Sequence, residues 1–69
     1  MENVYLVELG ERNEGGYIVA VHLSRTNAVE VALKCRTCFA GGWIPDPNDD
    51  YAWENGCDYV RVYRMEVAD

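Results

Sequence analysis

Basic residues are scarce in this sequence, and from Thr37 to Val60 there is no Lys or Arg at all. Six Lys and Arg stand against twelve Asp and Glu, so the formal net charge at pH 7 is −6. Contacts with nucleic-acid phosphates and with anionic lipids depend on cations. We therefore expect no direct binding to nucleic acid or to a membrane, and a basic surface on another protein is the better match.

Long apolar runs are also missing. No stretch approaches the ~20 apolar residues that cross a bilayer, and the start of the chain lacks the basic and apolar segments of a signal peptide. There are only three cysteines, an odd number, and Cys35 and Cys38 lie within one helical turn, which disfavours a secreted disulfide framework. These features predict a cytoplasmic protein with reduced thiols.

Apolar residues are plentiful nevertheless. They make up 49% of the 69 positions, which is enough for a folded core despite the net charge. The sequence contains no linker, repeat or low-complexity tract. We expect a single domain over residues 1–69 that buries only about 60% of the surface its unfolded chain exposes.

The first third of the chain predicts a β-hairpin over about residues 4–23. Val4–Leu9 and Tyr17–Leu23 are rich in β-forming residues. The segment between them, Gly10–Gly16, contains Gly and Asn residues that favour a turn. The connection is short enough to make the two strands antiparallel neighbours.

A helix is predicted over about residues 25–39. Ser24 or Thr26 can cap its start, and apolar residues then recur every three or four positions. The small side chains of Ala28 and Ala32 would let the helix lie close to the hairpin. A glycine pair follows and would end the helix.

The rest of the chain predicts a loop followed by a strand or hairpin. Residues 43–52 contain two prolines and no clear period, which indicates an aromatic and acidic loop. Asn55-Gly56 is a strong hairpin dipeptide, so residues 51–67 are expected to form a C-terminal strand or hairpin. The predicted fold class is α+β: an antiparallel sheet of three to four strands with one helix packed on one face, in the order ββαβ or ββαββ.

Both faces of the predicted strands carry apolar residues, although one helix can cover only one face. Tyr5, Val7 and Leu9 would face the helix and leave Val4 and Leu6 on the other side. The second face then needs a cover of its own. Either the aromatic segment after the helix folds over it, or a partner or second copy does.

Four short segments carry a resemblance to known proteins. They are Val-Tyr-Leu-Val-Glu at 4–8, Leu-Ser-Arg at 23–25, Asn-Gly-Cys-Asp-Tyr-Val at 55–60 and Met-Glu-Val at 65–67. With them the chain resembles the short, mostly uncharacterised ββαβ proteins encoded by bacteriophages and prophages. The segments are strand ends, a helix cap and a turn, so no site residue carries over. The resemblance implies a protein acting in a bacterial host cell, where small acidic phage proteins often inhibit host machinery, anti-CRISPR proteins among them.

The cysteines are the first candidate metal ligands. Cys35 and Cys38 have the spacing of a zinc knuckle or a redox pair, and Cys57 with His22 could complete a site. A second Cys-x-x-Cys pair is missing, however, and Cys35 falls in the apolar stripe of the predicted helix, where a buried thiol is expected. A redox pair also normally opens its helix, whereas this pair closes it. We predict structural thiols and no metal or other cofactor.

Neither a calcium loop nor a catalytic motif is evident. Oxygen ligands recur at Asp46, Asn48 and Asp50, but Tyr51 and Cys57 stand where an EF-hand needs Gly and Glu. The single histidine lies in a predicted strand, with nothing around it in sequence to suggest an activated nucleophile. Acidic loop residues are usually just solvated. We therefore predict that the protein is not an enzyme.

The strongest functional feature is the segment 43–58, in which aromatic residues alternate with five carboxylates. Aromatic residues often anchor interfaces, and surrounding charge supplies steering and register. The alternative is that both Trp residues plug the core and the carboxylates form a solubilising rim. The predicted partner-binding residues are Trp43, Asp46, Asp49, Asp50, Tyr51, Trp53, Glu54 and Asp58.

Three functions follow from these features. The leading hypothesis is a small phage protein that binds and inhibits a basic surface of a bacterial host or defence protein, such as a nucleic-acid-binding channel. The alternative is a homodimeric structural or accessory phage module whose second sheet face is buried between two copies. That dimer hypothesis depends on the apolar residues Val4, Leu6, Ile18, Val60 and Val62. A third hypothesis, a zinc-binding regulator, depends on the three cysteines alone.

Overall fold

The described residues form one helix and a single antiparallel sheet. The computed structural model describes residues 2–37 and 43–68. Its elements are β1 (Glu2–Glu11), β2 (Gly15–His22), α1 (Arg25–Thr37), β3 (Ile44–Pro45), β4 (Ala52–Asn55) and β5 (Asp58–Val67). All paired strands are antiparallel, in the order β2-β1-β5-β4-β3. The predicted α+β class, with an antiparallel sheet and one helix, is therefore confirmed.

The sheet has five strands, so the prediction of three to four was wrong. The additional strand is β3, which pairs Ile44 with Glu54 and Pro45 with Trp53 in a segment that the sequence assigns to a loop. Two residues are too few to show an alternating pattern. Proline has no N–H to donate, and it is tolerated here because β3 lies at the edge of the sheet.

The first hairpin has longer strands and a shorter turn than predicted. The turn comprises residues 12–14, where the N–H of Glu14 donates to the carbonyl of Glu11 (3.1 Å), and Gly15 follows with a φ of 79°. Gly10 and Gly16, which the sequence assigns to the turn, lie opposite each other within β1 and β2. Their lack of a side chain serves close packing on the sheet, as described below.

The helix begins as predicted and lies close to the sheet. Ser24 caps α1: its Oγ accepts from the N–H of Asn27 (3.4 Å), and its carbonyl accepts from the N–H of Ala28 (3.1 Å). Ala28 and Ala32 are fully buried against the strands. The predicted helix end at 38–39 lies outside the described residues. Within the described chain, no helix is long and apolar enough to span a membrane.

The core lies between α1 and one face of the sheet. Val7 pairs with Val62, Leu9 pairs with Val60, and Trp53 pairs with Val60 from the other side, so these side chains share the helix face. Val60 and Val62 therefore belong to the core and do not lie on the second face, which corrects the set proposed for the dimer. The second face is the one that the helix leaves uncovered, and we call it the open face.

Candidate interaction site at the acidic end of the sheet

The five carboxylates of segment 43–58 lie around β3, β4 and the start of β5, and we call this region the acidic end. Two of them build the turn between β3 and β4. Asp46 Oδ1 accepts from the N–H of Asn48 (2.8 Å), and Asp49 Oδ1 accepts from the N–H of Tyr51 (2.9 Å). The N–H of Asp46 donates to the carbonyl of Ala52 (2.9 Å). These Asx turns fix the loop, and they place the exposed carboxylates on a defined backbone.

The aromatic residues of the acidic end point into the protein. Trp53 is only 8% exposed, and Trp43 and Tyr51 pack half-buried against the core. The guanidinium of Arg25 lies between two rings, 4.9 Å from the centroid of Tyr51 and 5.1 Å from that of Tyr5. The aromatic residues therefore hold the acidic turn to the core, and Trp53 is not an exposed anchor.

Ile44 is the apolar side chain that this end exposes. It is 70% exposed, and its Cα partner in β4 is Glu54. Pairing with Glu54 places it on the open face, together with Ala52 and opposite the buried Trp53. Ile44 could not be selected from the sequence, because a segment predicted to be a loop has no predictable inner and outer side.

A cation from outside the segment reaches the acidic end. Arg12 Nη2 lies 2.6 Å from Glu54 Oε2, and the N–H of Arg12 donates to the carbonyl of Cys57 (2.8 Å). The hydrogen bond to Glu54 raises the pKa of Arg12 above its ordinary value, and the charges of Glu54 and Asp46 act in the same direction. Arg12 thus partly neutralises the segment that contains no Lys or Arg, because the β1–β2 turn lies beside the β4–β5 hairpin.

Beside this end, on the open face, a buried carboxylate of β1 is bound to two side chains of β5. Glu8 is 9% exposed. Its Oε2 accepts from Tyr59 Oη (2.6 Å), and its Oε1 accepts from Arg61 Nε (2.7 Å) and lies 2.6 Å from Arg61 Nη2. Burial alone would raise the pKa of Glu8, but the hydrogen bonds from Tyr59 and Arg61, together with the charge of Arg61, lower it below its ordinary value. The charged Glu8 carboxylate therefore links β1 to β5, and we call its contacts with Tyr59 and Arg61 the Glu8 tie.

Two glycines make room for this tie. A Cβ at Gly10 or at Gly16 would collide with Tyr59 Oη, and one at Gly16 would also meet Glu8 Oε2. The Tyr59 hydroxyl thus lies directly over the backbone of Gly10 and Gly16, from where it donates to Glu8. Its hydrogen bond to Glu8 raises the pKa of Tyr59, which keeps the hydroxyl protonated as a donor. Sequence reasoning missed this network because its members are about 50 residues apart and meet only through the strand order.

A shallow cavity of about 260 Å³ opens between these groups. Its polar walls are Arg12, Asp46, Glu54, Tyr59 and Arg61. The volume is below the roughly 300 Å³ at which ligand pockets usually begin. Arg12 is paired with Glu54 and Arg61 with Glu8. Both arginines of the cavity wall are thus engaged in ion pairs that support the sheet, and the lining residues include no thiol or imidazole.

The other candidate residues are dispersed. Cys35 packs half-buried against the core from α1, Cys57 is exposed in the β4–β5 turn, and Cys38 lies outside the described residues. His22 lies at the end of β2, paired with Tyr5. Within 2–37 and 43–68, no three His, Cys, Asp or Glu side chains are grouped so that they could hold a metal ion.

Comparison with known proteins does not extend this picture. The sequence matches no protein-family description, and neither a characterised protein nor a solved structure is detectably similar to it. The function is therefore inferred from the geometry of this chain.

Proposed function

We propose that this chain is a non-enzymatic binding protein that docks its acidic end on a basic surface of a bacterial protein or nucleoprotein complex and inhibits that target by covering the surface. The phage or prophage origin implied by the resemblance belongs to the same proposal. The observation that carries it is the set of carboxylates that remain at the acidic end without an ion pair within the described residues: Asp46, Asp49, Asp50 and Asp58.

Charge of one sign at one end supports steering toward a basic target. Glu54 is offset by Arg12, whereas Asp49 and Asp50 are exposed in the turn. Complementary charge raises the association rate and selects orientation more than it adds affinity. Such binding weakens with added salt, because the Debye length is only about 8 Å at physiological ionic strength.

The acidic turn is also preorganised. Asp46 and Asp49 accept hydrogen bonds from their own turn, and Tyr51 and Trp43 fasten that turn to the core. A surface that is already fixed loses less conformational entropy on binding. Ile44, which the sequence reading did not include, supplies the exposed apolar contact beside the charges.

The test neutralises charge without disturbing the turn. In the triple variant Asp46→Asn, Asp49→Asn and Asp50→Asn, each amide keeps the oxygen that accepts the turn hydrogen bonds and loses only the charge. The matched control removes three exposed carboxylates elsewhere, Glu2→Gln, Glu30→Gln and Glu66→Gln. Both variants are immobilised beside the wild type and exposed to bacterial lysate at low salt, and the captured proteins are quantified by mass spectrometry.

We expect the wild type and the control to capture the same basic proteins, and added salt to release them. The triple Asn variant should capture far less. Added duplex DNA should compete if the covered surface is a nucleic-acid-binding channel. Equal capture by the triple Asn variant and the wild type would contradict the proposal, since the net charge of the two variants is the same and only its location differs.

A further inference from the structure

We draw no further inference here: the strongest candidate, the exposed apolar edge of the sheet formed by β2, carries none, because nothing in the part of the chain that the structure describes shows what covers it.

Discussion

The two edges of the sheet are held in different ways. At the acidic end, Trp53 of β4 belongs to the core and the turn after β3 is fastened by Asx hydrogen bonds. At the other edge, Tyr17 and its neighbours in β2 are exposed, and among residues 2–37 and 43–68 the strand pairs only with β1. Strands with few buried contacts open more easily than core strands. We therefore expect β4 at the charged end to be held more firmly than β2 at the apolar edge.

The two edges should differ most in the loss of stability when one aromatic side chain at each edge is truncated. Trp53→Ala removes a buried ring and should lower the free energy of unfolding by about 3–5 kcal/mol. Tyr17→Ala removes a ring that is mostly in solvent and should cost less than about 1 kcal/mol. Urea denaturation at low protein concentration measures both. Similar losses would show that β2 is held as firmly as β4.

The next largest effect concerns Gly16 of β2, over which Tyr59 of β5 packs. Gly16→Ala places a Cβ against Tyr59 Oη and should cost about 1–3 kcal/mol through overpacking. Gly15→Ala, at a positive φ with open space around it, should cost about 1 kcal/mol from backbone strain alone. Adding Tyr59→Phe removes the clashing oxygen, so it should recover part of the loss in Gly16→Ala and none in Gly15→Ala. Equal recovery in both would exclude the clash as the cause.

The Glu8 tie makes the stability of the sheet depend on pH. Hydrogen bonds and the charge of Arg61 lower the pKa of Glu8 in the folded chain despite its burial. A carboxyl group with a lowered folded pKa stabilises the fold above its unfolded pKa of about 4.3, and this contribution is lost as the pH falls through the folded value. The wild type should therefore be more stable than Glu8→Gln at pH 7, and the difference should shrink on acidification toward pH 3. Glu66→Gln controls for the loss of one exposed negative charge. A difference that stays constant with pH would contradict a charged Glu8.

The smallest effect separates two neighbouring carboxylates of the acidic turn. Asp49→Ala removes the acceptor for the N–H of Tyr51 and should cost about 0.5–1 kcal/mol. Asp50→Ala should lie within about 0.5 kcal/mol of the wild type, as exposed surface substitutions usually do. Thermal denaturation compares the two. An equal cost for both would mean that the Asp49 hydrogen bond does not hold the turn.

The local features of the fold could be predicted from the sequence. Ser24 has the chemistry of a helix cap, Asn55-Gly56 that of a hairpin turn, and alternation placed Val7 and Val4 on opposite faces of β1, as they are. Each depends on residues close together in the chain, so composition and spacing were sufficient.

The features that depend on strand order could not be predicted. Arg12 meets Glu54 only because the first turn lies beside the second hairpin. From the sequence, Gly16 is expected in the turn. In the structure it lies in β2, and Tyr59 of β5 packs over its backbone. The charge of the acidic end was correctly located along the chain, but its partial neutralisation by Arg12 was invisible because no local pattern announces a contact across 42 residues.

The position of β5 has a consequence for synthesis of the protein. β5 lies between β1 and β4 in the sheet, yet it follows every other strand in the chain. On the ribosome, the hairpin of β1 and β2 and the helix emerge first and have no central strand to pack against. Closure of the core must wait for residues 58–67, and until then the uncharged β2 edge is exposed beside an incomplete sheet. Nascent chains that stall before β5 should therefore be substrates for chaperones and proteases rather than partly active protein.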